Sequence, residues 1–302
     1  MRLEIKNVSK RFKQKNAVSE FSMELETGQC VGLIGPNGAG KSTLIKIIAD
    51  VFRADEGEVL LDGQRISNMK REIGYLPQYP NFFPWMTAKE TLLFMGQLSG
   101  ISKQKLLEKV PVVLEKVGLT GEGNVKVQTF SGGMRQRLGI AQAILHTPAF
   151  IVMDEPVSAL DPIGRREVLN LIREIKKETT ILLSTHILSD AEEICERFVI
   201  MKNGKKIKDT TITELLNRNT RGPVSLEIAP KDLQWIQSAR ELSFVKKIEV
   251  KGSKVEFTLE YPQKQKNMLL KNALNCDVDI LRFEEDGRKT LEDIFLKLVV
   301  EE

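Results

Sequence analysis

Polar and apolar residues alternate over residues 2–8 and again over 20–26, the period of a half-buried strand, and Thr27-Gly28 turns the chain after the second run. Gln29 to Ile34 is a short, nearly continuous apolar run, read as a buried strand, and it leads into a glycine-rich loop. After the loop, Leu44, Ile45, Ile47, Ile48, Val51 and Phe52 recur at helical spacing. Gly57 to Ile66 reads as a hairpin turning at Asp62-Gly63.

The pattern then changes. Thr87 with Glu90 three residues later predicts a capping box for a helix through Leu98. Residues 102–117 continue helical, with Pro111 expected to kink or divide the helix. Ser131 opens another helix through about Leu145, so residues 84–147 read as a helical insertion between strands. Strand rhythm resumes at Phe150 to Met153. Asp161-Pro162 is an N-cap followed by proline at the first helical position, for a helix to about Lys177. Thr180 to Ser184 reads as a buried strand, 189–196 as a helix, and Phe198 to Ile207 as a hairpin on Asn203-Gly204.

The sequence NRNTRGP at 217–223 is the best linker in the chain, and beyond it the pattern restarts. A strand at 224–228, a helix at about 231–242, strands at 245–250 and 254–261, a helix at 264–274 and a strand at 276–284 give the order β-α-β-β-α-β. A last helix is expected at 291–299. That order suggests a small ferredoxin-like α+β domain. The expected division is therefore a first domain at 1–217, a linker at 218–223 and a second domain at 224–302.

Composition narrows the class. The chain has 302 residues, 41% of them apolar and 28% charged, which excludes wholesale disorder, collagen and a disulfide-dense scaffold. No apolar run approaches the roughly 18 residues of a membrane-spanning helix, and the opening MRLEIKNVSKRF lacks the apolar core of a secretory signal. A cytoplasmic chain is the expectation. A net charge of +4 is too small to mark a nucleic-acid binder. The clusters Lys10, Arg11, Lys13, Lys15 and Lys202, Lys205, Lys206, Lys208 read as solvated surface around turns. The three cysteines form no CxxC pair, so neither a disulfide framework nor a zinc site is expected, and Cys30 and Cys195 read as small buried hydrophobes. His146, at the end of a helix, reads as a partner for its C-terminal dipole.

The strongest chemical signal is GPNGAGKS at 35–42, which matches G-x-x-x-x-G-K-[ST] between a strand and a helix, the context of a phosphate-binding P-loop. Gly35, Gly38 and Gly40 let backbone N–H groups converge on phosphate oxygens, and the helix N-terminus adds its dipole. Pro36, Asn37, Ala39 and Thr43 complete the candidate loop. Lys41 is expected to meet the β/γ-phosphates and Ser42 to offer its hydroxyl to Mg²⁺. FIVMDE at 150–155 ends a buried strand in two carboxylates. Asp154 is expected to hold Mg²⁺, and Glu155 to act on a water molecule as general base.

FSGGMRQR at 130–137 resembles the signature sequence of the ATP-binding cassette (ABC) family. Further family elements follow in order: Gln78 in YLPQ resembles the Q-loop, SALD at 158–161 the D-loop, and His186 in STH the switch histidine, while Phe12 sits where the family places an aromatic under adenine. The resemblance covers about residues 1–217. It implies an α/β P-loop fold with a mainly parallel sheet, an antiparallel β subdomain and a helical subdomain. It also implies two cassettes head to tail, with ATP between the P-loop of one and Ser131, Gly132 and Gly133 of the other. His186 would hold the γ-phosphate and orient water, Gln78 would touch Mg²⁺ or that water and report to a membrane subunit, and Asp161 would contact the opposing site. The signature departs from the family at Phe130, where leucine is usual, and at Met134, where glutamine is usual.

Three classes fit such a cassette: the ATPase subunit of a transporter with separate membrane chains, a cassette ATPase acting on ribosomes or chromosomes, and a nucleotide-dependent regulator that hydrolyses little. The second usually carries tandem cassettes or a long coiled-coil insertion, whereas only 53 positions separate Gln78 from Ser131. The third is disfavoured by the presence of Lys41, Asp154, Glu155 and His186. The expectation is the ATPase of a transporter, resembling the bacterial exporter branch, with an importer as the lesser reading. It would bind ATP and Mg²⁺, pair with a second ATPase subunit and transmembrane subunits, bind no nucleic acid, and lie at the inner face of the membrane.

Overall fold

The computed structural model describes residues 1–217 apart from Gln14, residues 223–285, and Phe295. The expected linker at 218–223, apart from Pro223, and the expected final helix at 291–299, apart from Phe295, lie outside the described residues. The chain divides into two compact units, Met1–Thr211 and a second beginning at Ile212.

In the first unit, β1 (Arg2–Phe12) and β2 (Lys15–Glu26) form a hairpin, followed by β3 (Cys30–Ile34) and α1 (Lys41–Ile48). Next come β4 (Glu56–Leu61), β5 (Gln64–Arg65) and β6 (Ile73–Leu76), then α2 (Ala88–Leu98), α3 (Lys103–Lys116) and α4 (Gly132–Ile144). The unit finishes with β7 (Phe150–Asp154), α5 (Pro162–Ile175), β8 (Thr180–Thr185), α6 (Leu188–Ile194), β9 (Arg197–Lys202) and β10 (Lys205–Thr211). Two sheets result. One is antiparallel, in the order β2-β1-β4-β5. The other has the order β10-β9-β3-β8-β7-β6 and is parallel except for the β9–β10 hairpin. Its central strands β3, β7 and β8 are buried along their whole length, as strands covered on both faces must be. α1 is the shared filling: Leu44, Ile45, Ile47 and Ile48 join one core with Leu3, Ile5 and Phe21 of the antiparallel sheet and Val31, Leu33, Val152 and Leu182 of the parallel one.

Three sequence expectations change. The strand β6 was not anticipated, because four residues are too few to show a period. Pro111 does not divide α3, which runs as one helix with Leu106, Val110 and Leu114 buried along one face. That packing carries the helix past the backbone bond that proline cannot donate. His146 is no partner of the α4 dipole: its Nε2 lies 3.1 Å from the Ile73 carbonyl oxygen of β6, and burial lowers its affinity for a proton. Cys30 and Cys195 are both buried, with sulfurs 3.6 Å apart, and the neighbouring Cys30 thiol and burial push the Cys195 thiol up.

The second unit opens with α7 (Ile212–Asn217) and continues β11 (Val224–Ile228), α8 (Trp235–Arg240), β12 (Val245–Lys251), β13 (Lys254–Leu259), α9 (Pro262–Asn275) and β14 (Ile280–Glu285). Its sheet order β12-β13-β11-β14 is antiparallel throughout, the split β-α-β arrangement of a ferredoxin-like domain. Val224, Leu226, Ile228, Phe257, Leu259 and Leu269 form a core of its own, with Trp235 packed 5.6 Å from Phe257 and its indole N–H donating to Asn272 Oδ1 at 2.9 Å.

Candidate active site

In an open parallel sheet, ligands bind beyond the carboxyl ends of the strands. Four neighbouring strands of the first unit end there in chemistry. β3 runs into the glycine loop at Gly35, β6 ends two residues before Gln78, β7 ends in Asp154 with Glu155 next, and β8 ends just before His186. Pairing fixes their alignment, with Ile34 opposite Thr185, Asp154 opposite Ser184 and Leu76 opposite Met153.

The loop is shaped by close approach. A β-carbon on Gly35 would lie 2.4 Å from the Met201 carbonyl oxygen, and one on Gly40 would lie 2.1 Å from that of Ala17. Gly40 also takes φ = 104°, a conformation side chains rarely adopt, and it starts α1 with no side-chain cap. The first N–H groups of α1 are thus not consumed by a capping side chain.

Around this loop the titratable groups form a chain of contacts. The Lys41 ammonium, 5% exposed, donates to Gly35 O at 2.7 Å and Pro36 O at 3.2 Å, and lies 3.6 Å from Glu155 Oε1. Burial lowers its affinity for a proton, while the carboxylates of Glu155 and Asp154 oppose that shift. The other oxygen of Glu155 lies 2.6 Å from His186 Nδ1. The Ser42 hydroxyl donates to Asp154 Oδ1 at 2.9 Å, and so does that of Ser184 at 2.7 Å. Burial and the Asp154 carboxylate push the half-buried Tyr75 hydroxyl up to about 12. Glu155 itself takes φ = 49°, a left-handed conformation costly for a residue with a side chain. Its N–H donates to the Ser184 hydroxyl at 3.0 Å, and Ser158 donates to its carbonyl at 3.2 Å. Gln78 Nε2 donates to Ser158 Oγ at 3.3 Å.

These groups line a cavity of about 480 Å³ whose walls include Asn37, Gly38, Ala39, Gly40, Lys41, Ser42, Thr43, Gln78, Glu155 and His186. Of the remaining sequence candidates, Asp154 lies just behind, bonded to Ser42. Phe12 does not line the cavity. Its ring is 43% exposed and meets Phe52 edge-on at 5.7 Å. Ser131, Gly132, Gly133 and Asp161 stand apart from the cavity but beside each other. Ser131 Oγ caps α4 by accepting from Met134 N at 3.2 Å, and Asp161 Oδ1 caps α5 by accepting from Gly164 N at 2.7 Å. A β-carbon on Gly133 would lie 3.7 Å from Gly164.

Sequence reasoning gave no nucleotide-site role to Ser184, Lys15, Ala17 or Tyr79, the last three of which line the cavity. Ser184 carries a legible signal, a hydroxyl near the end of a buried strand, two residues before His186. Lys15 carries none beyond its place in a basic cluster.

A family model described as "ABC transporter" matches residues 18–158, and one described as "ATP-binding protein DrrA1-3-like, C-terminal domain" matches 211–299. The chain is 41% identical over 98% of its length, and 99% of the relative's, to the Uncharacterized ABC transporter ATP-binding protein YxlF of Bacillus subtilis (strain 168). The chain belongs to the ABC transporter ATP-binding proteins. Among other relatives of this family, the Nod factor export ATP-binding protein I of Bradyrhizobium diazoefficiens is 32% identical over 99% of this chain and 96% of its own. A solved structure described as the ATP binding subunit of an ABC transporter superposes with a TM-score of 0.65 at 32% identity, covering 72% of this chain and 93% of that one. A dimeric cassette, MJ0796 bound to ADP and Pi in a post-hydrolysis state, gives 0.62 at 27% identity, covering 69% and 98%. ABC ATPases bind and hydrolyse ATP and work with membrane subunits. Among the described residues, no helix of this chain is long and apolar enough to cross a membrane.

Proposed function

We propose that this ABC ATP-binding subunit hydrolyses ATP at the cavity above α1 and couples the reaction to transport through separate membrane chains. The carrying observation is the convergence of Lys41, Ser42, Asp154, Glu155 and His186 from three strand ends onto one loop. Lys41 and backbone N–H groups of the glycine loop and the start of α1 bind the β/γ-phosphates. Glu155 takes the proton of the attacking water, and His186, bonded to it, orients that water against the γ-phosphate. Mg²⁺ suits the donors present. The Ser42 hydroxyl and Asp154 carboxylate are hard oxygens already 2.9 Å apart, and Gln78 can add its carbonyl. Among the described residues no cluster of three or more His, Cys, Asp or Glu side chains competes for another metal, and few protein ligands leave room for phosphate and water, as Mg²⁺ prefers. Bound there, Mg²⁺ would neutralise charge on the phosphates.

Phe12 stacks under adenine. Ser131, Gly132, Gly133 and Asp161 serve the ATP of a second ATPase subunit. Their separation from the cavity and the dimeric MJ0796 structure support this reading. The membrane partner meets the segment after Gln78, where Tyr79 is 64% and Trp85 63% exposed and Phe83 stacks 5.1 Å from Trp85. Exposed apolar clusters of this kind mark interaction surfaces. The export named in the Nod factor relative favours an exporter. The chain would sit in the cytoplasm against the membrane's inner face. Residues 1–217 would be the nucleotide-binding domain, 218–223 a linker, and 224–302 an accessory domain acting on dimer closure.

The test is Glu155→Gln. It should retain ATP binding, slow hydrolysis about 10²- to 10⁴-fold and trap an ATP-bound dimer. Near-normal turnover would overturn the general-base assignment. For the partner, Phe83→Ser with Trp85→Ser should release membrane chains that copurify with wild type in detergent, while ATPase activity persists. Unchanged copurification would overturn the docking assignment.

A further inference from the structure

The basic cluster at the β1–β2 turn was left over from the functional reading, and one member of it does not behave as distant surface. β2 begins at Lys15, and alternation along a strand puts residues two apart on one face. Lys15 and Ala17 both line the cavity, whereas Val18, on the opposite face, is buried in the core. The position is fixed by close packing. The Ala17 carbonyl presses so near Gly40 that no β-carbon fits there, and the Lys15 ammonium lies 3.8 Å from the point a β-carbon on Gly38 would occupy. Lys15 therefore stands over the outer side of the glycine loop while Lys41 lies beneath it. The two lysines differ in their bonds. Lys41 is engaged with Gly35 O, Pro36 O and Glu155. Lys15 makes no ion pair among the described residues. The hairpin register adds a third point: Lys15 is paired directly with Phe12, so the two side chains share a face of the ribbon.

We propose that Lys15 is a second phosphate-binding cation of this subunit, holding the phosphate chain of the nucleotide from the side opposite Lys41. The inference rests on the reading of the cavity as the nucleotide site. A cation beside an aromatic suits a ligand whose flat base and anionic chain lie end to end. Because Lys15 is exposed, its attraction is screened by salt far more than that of buried Lys41.

The experiment is equilibrium binding of ATP, ADP and adenosine, at low and high salt, to wild type, Lys15→Ala, Lys15→Arg, Lys13→Ala and Lys41→Ala. Lys15→Ala should weaken ATP and ADP about 3- to 10-fold at low salt, between the effects of an exposed ion pair and a charge-assisted hydrogen bond. The difference should shrink at high salt. Lys15→Arg should bind as wild type, and adenosine affinity should not change. Unchanged ATP affinity in Lys15→Ala, an equal loss for adenosine, or an equal loss in Lys13→Ala would each overturn the assignment. Lys41→Ala separates the two levels: if it binds ATP as wild type, the cavity reading itself falls. If it is weakened while Lys15→Ala is not, only the role of Lys15 falls.

Discussion

The first turns of α1 and α2 solve the same problem in opposite ways. Every helix begins with N–H groups that have no partner within the helix. In α2 they are closed by side chains: Thr87 accepts from Glu90 N at 3.2 Å, and the Glu90 carboxylate accepts from Thr87 N at 2.8 Å. In α1 the capping position is Gly40, with no side chain, and no acidic residue lies in the first turn. The helix that only builds the scaffold is thus finished by its own sequence, while the helix at the reacting site leaves its dipole end to an anion. α4 and α5 fall between, each capped once, by Ser131 and by Asp161.

The comparison can be broken at its strong end first. Lys41→Ala removes the buried cation beside α1, and ATP affinity should fall on the order of 10- to 100-fold, the range of a lost charge-assisted hydrogen bond. A fluorescent nucleotide titration measures it, and an unchanged dissociation constant would overturn the reading of the cavity as the nucleotide site. Next is Gly40→Ala, where the new β-carbon meets the Ala17 carbonyl at 2.1 Å in a left-handed backbone. The left-handed conformation alone costs roughly 1–2 kcal/mol. Nucleotide binding should therefore drop together with the urea midpoint.

Thr87→Ala acts on α2 alone. It should cost about 1 kcal/mol of stability in urea melts and leave ATP affinity untouched. A change in ATP affinity would show that the two helix starts are coupled. The smallest effect is a pH dependence. Hydrogen bonds from Thr87 hold the Glu90 carboxyl below its ordinary value of 4.5. The folded value being the lower one, its contribution to stability is present above pH 4.5 and is lost as pH falls through the folded value. The stability gap between wild type and Glu90→Gln should therefore close in acid, as urea melts across that range would show.

Legibility followed the range of the interaction. The capping box, the Ser131 and Asp161 caps and the Asn203-Gly204 hairpin depend on residues within a few positions of one another, and each was readable from its own short string. β6 was missed because its four residues are a strand only beside β7. α8 proved shorter than its apolar spacing suggested, six residues from Trp235 to Arg240, because the residues before it form a tight turn at Pro230–Asp232.

The sequence by itself determined the glycine loop, the acids at the end of β7, the histidine after β8 and the β-α-β-β-α-β order of the second unit. Each is a local string or a short periodicity whose chemistry does not depend on distant residues. Tertiary structure alone decided that Glu155 holds Lys41 with one oxygen and His186 with the other, that Ser184 supports Asp154, and that Lys15 stands over Gly38. Those pairings join residues 23 to 114 positions apart, and only the register of parallel strands and the fit of β2 against the loop bring them within reach.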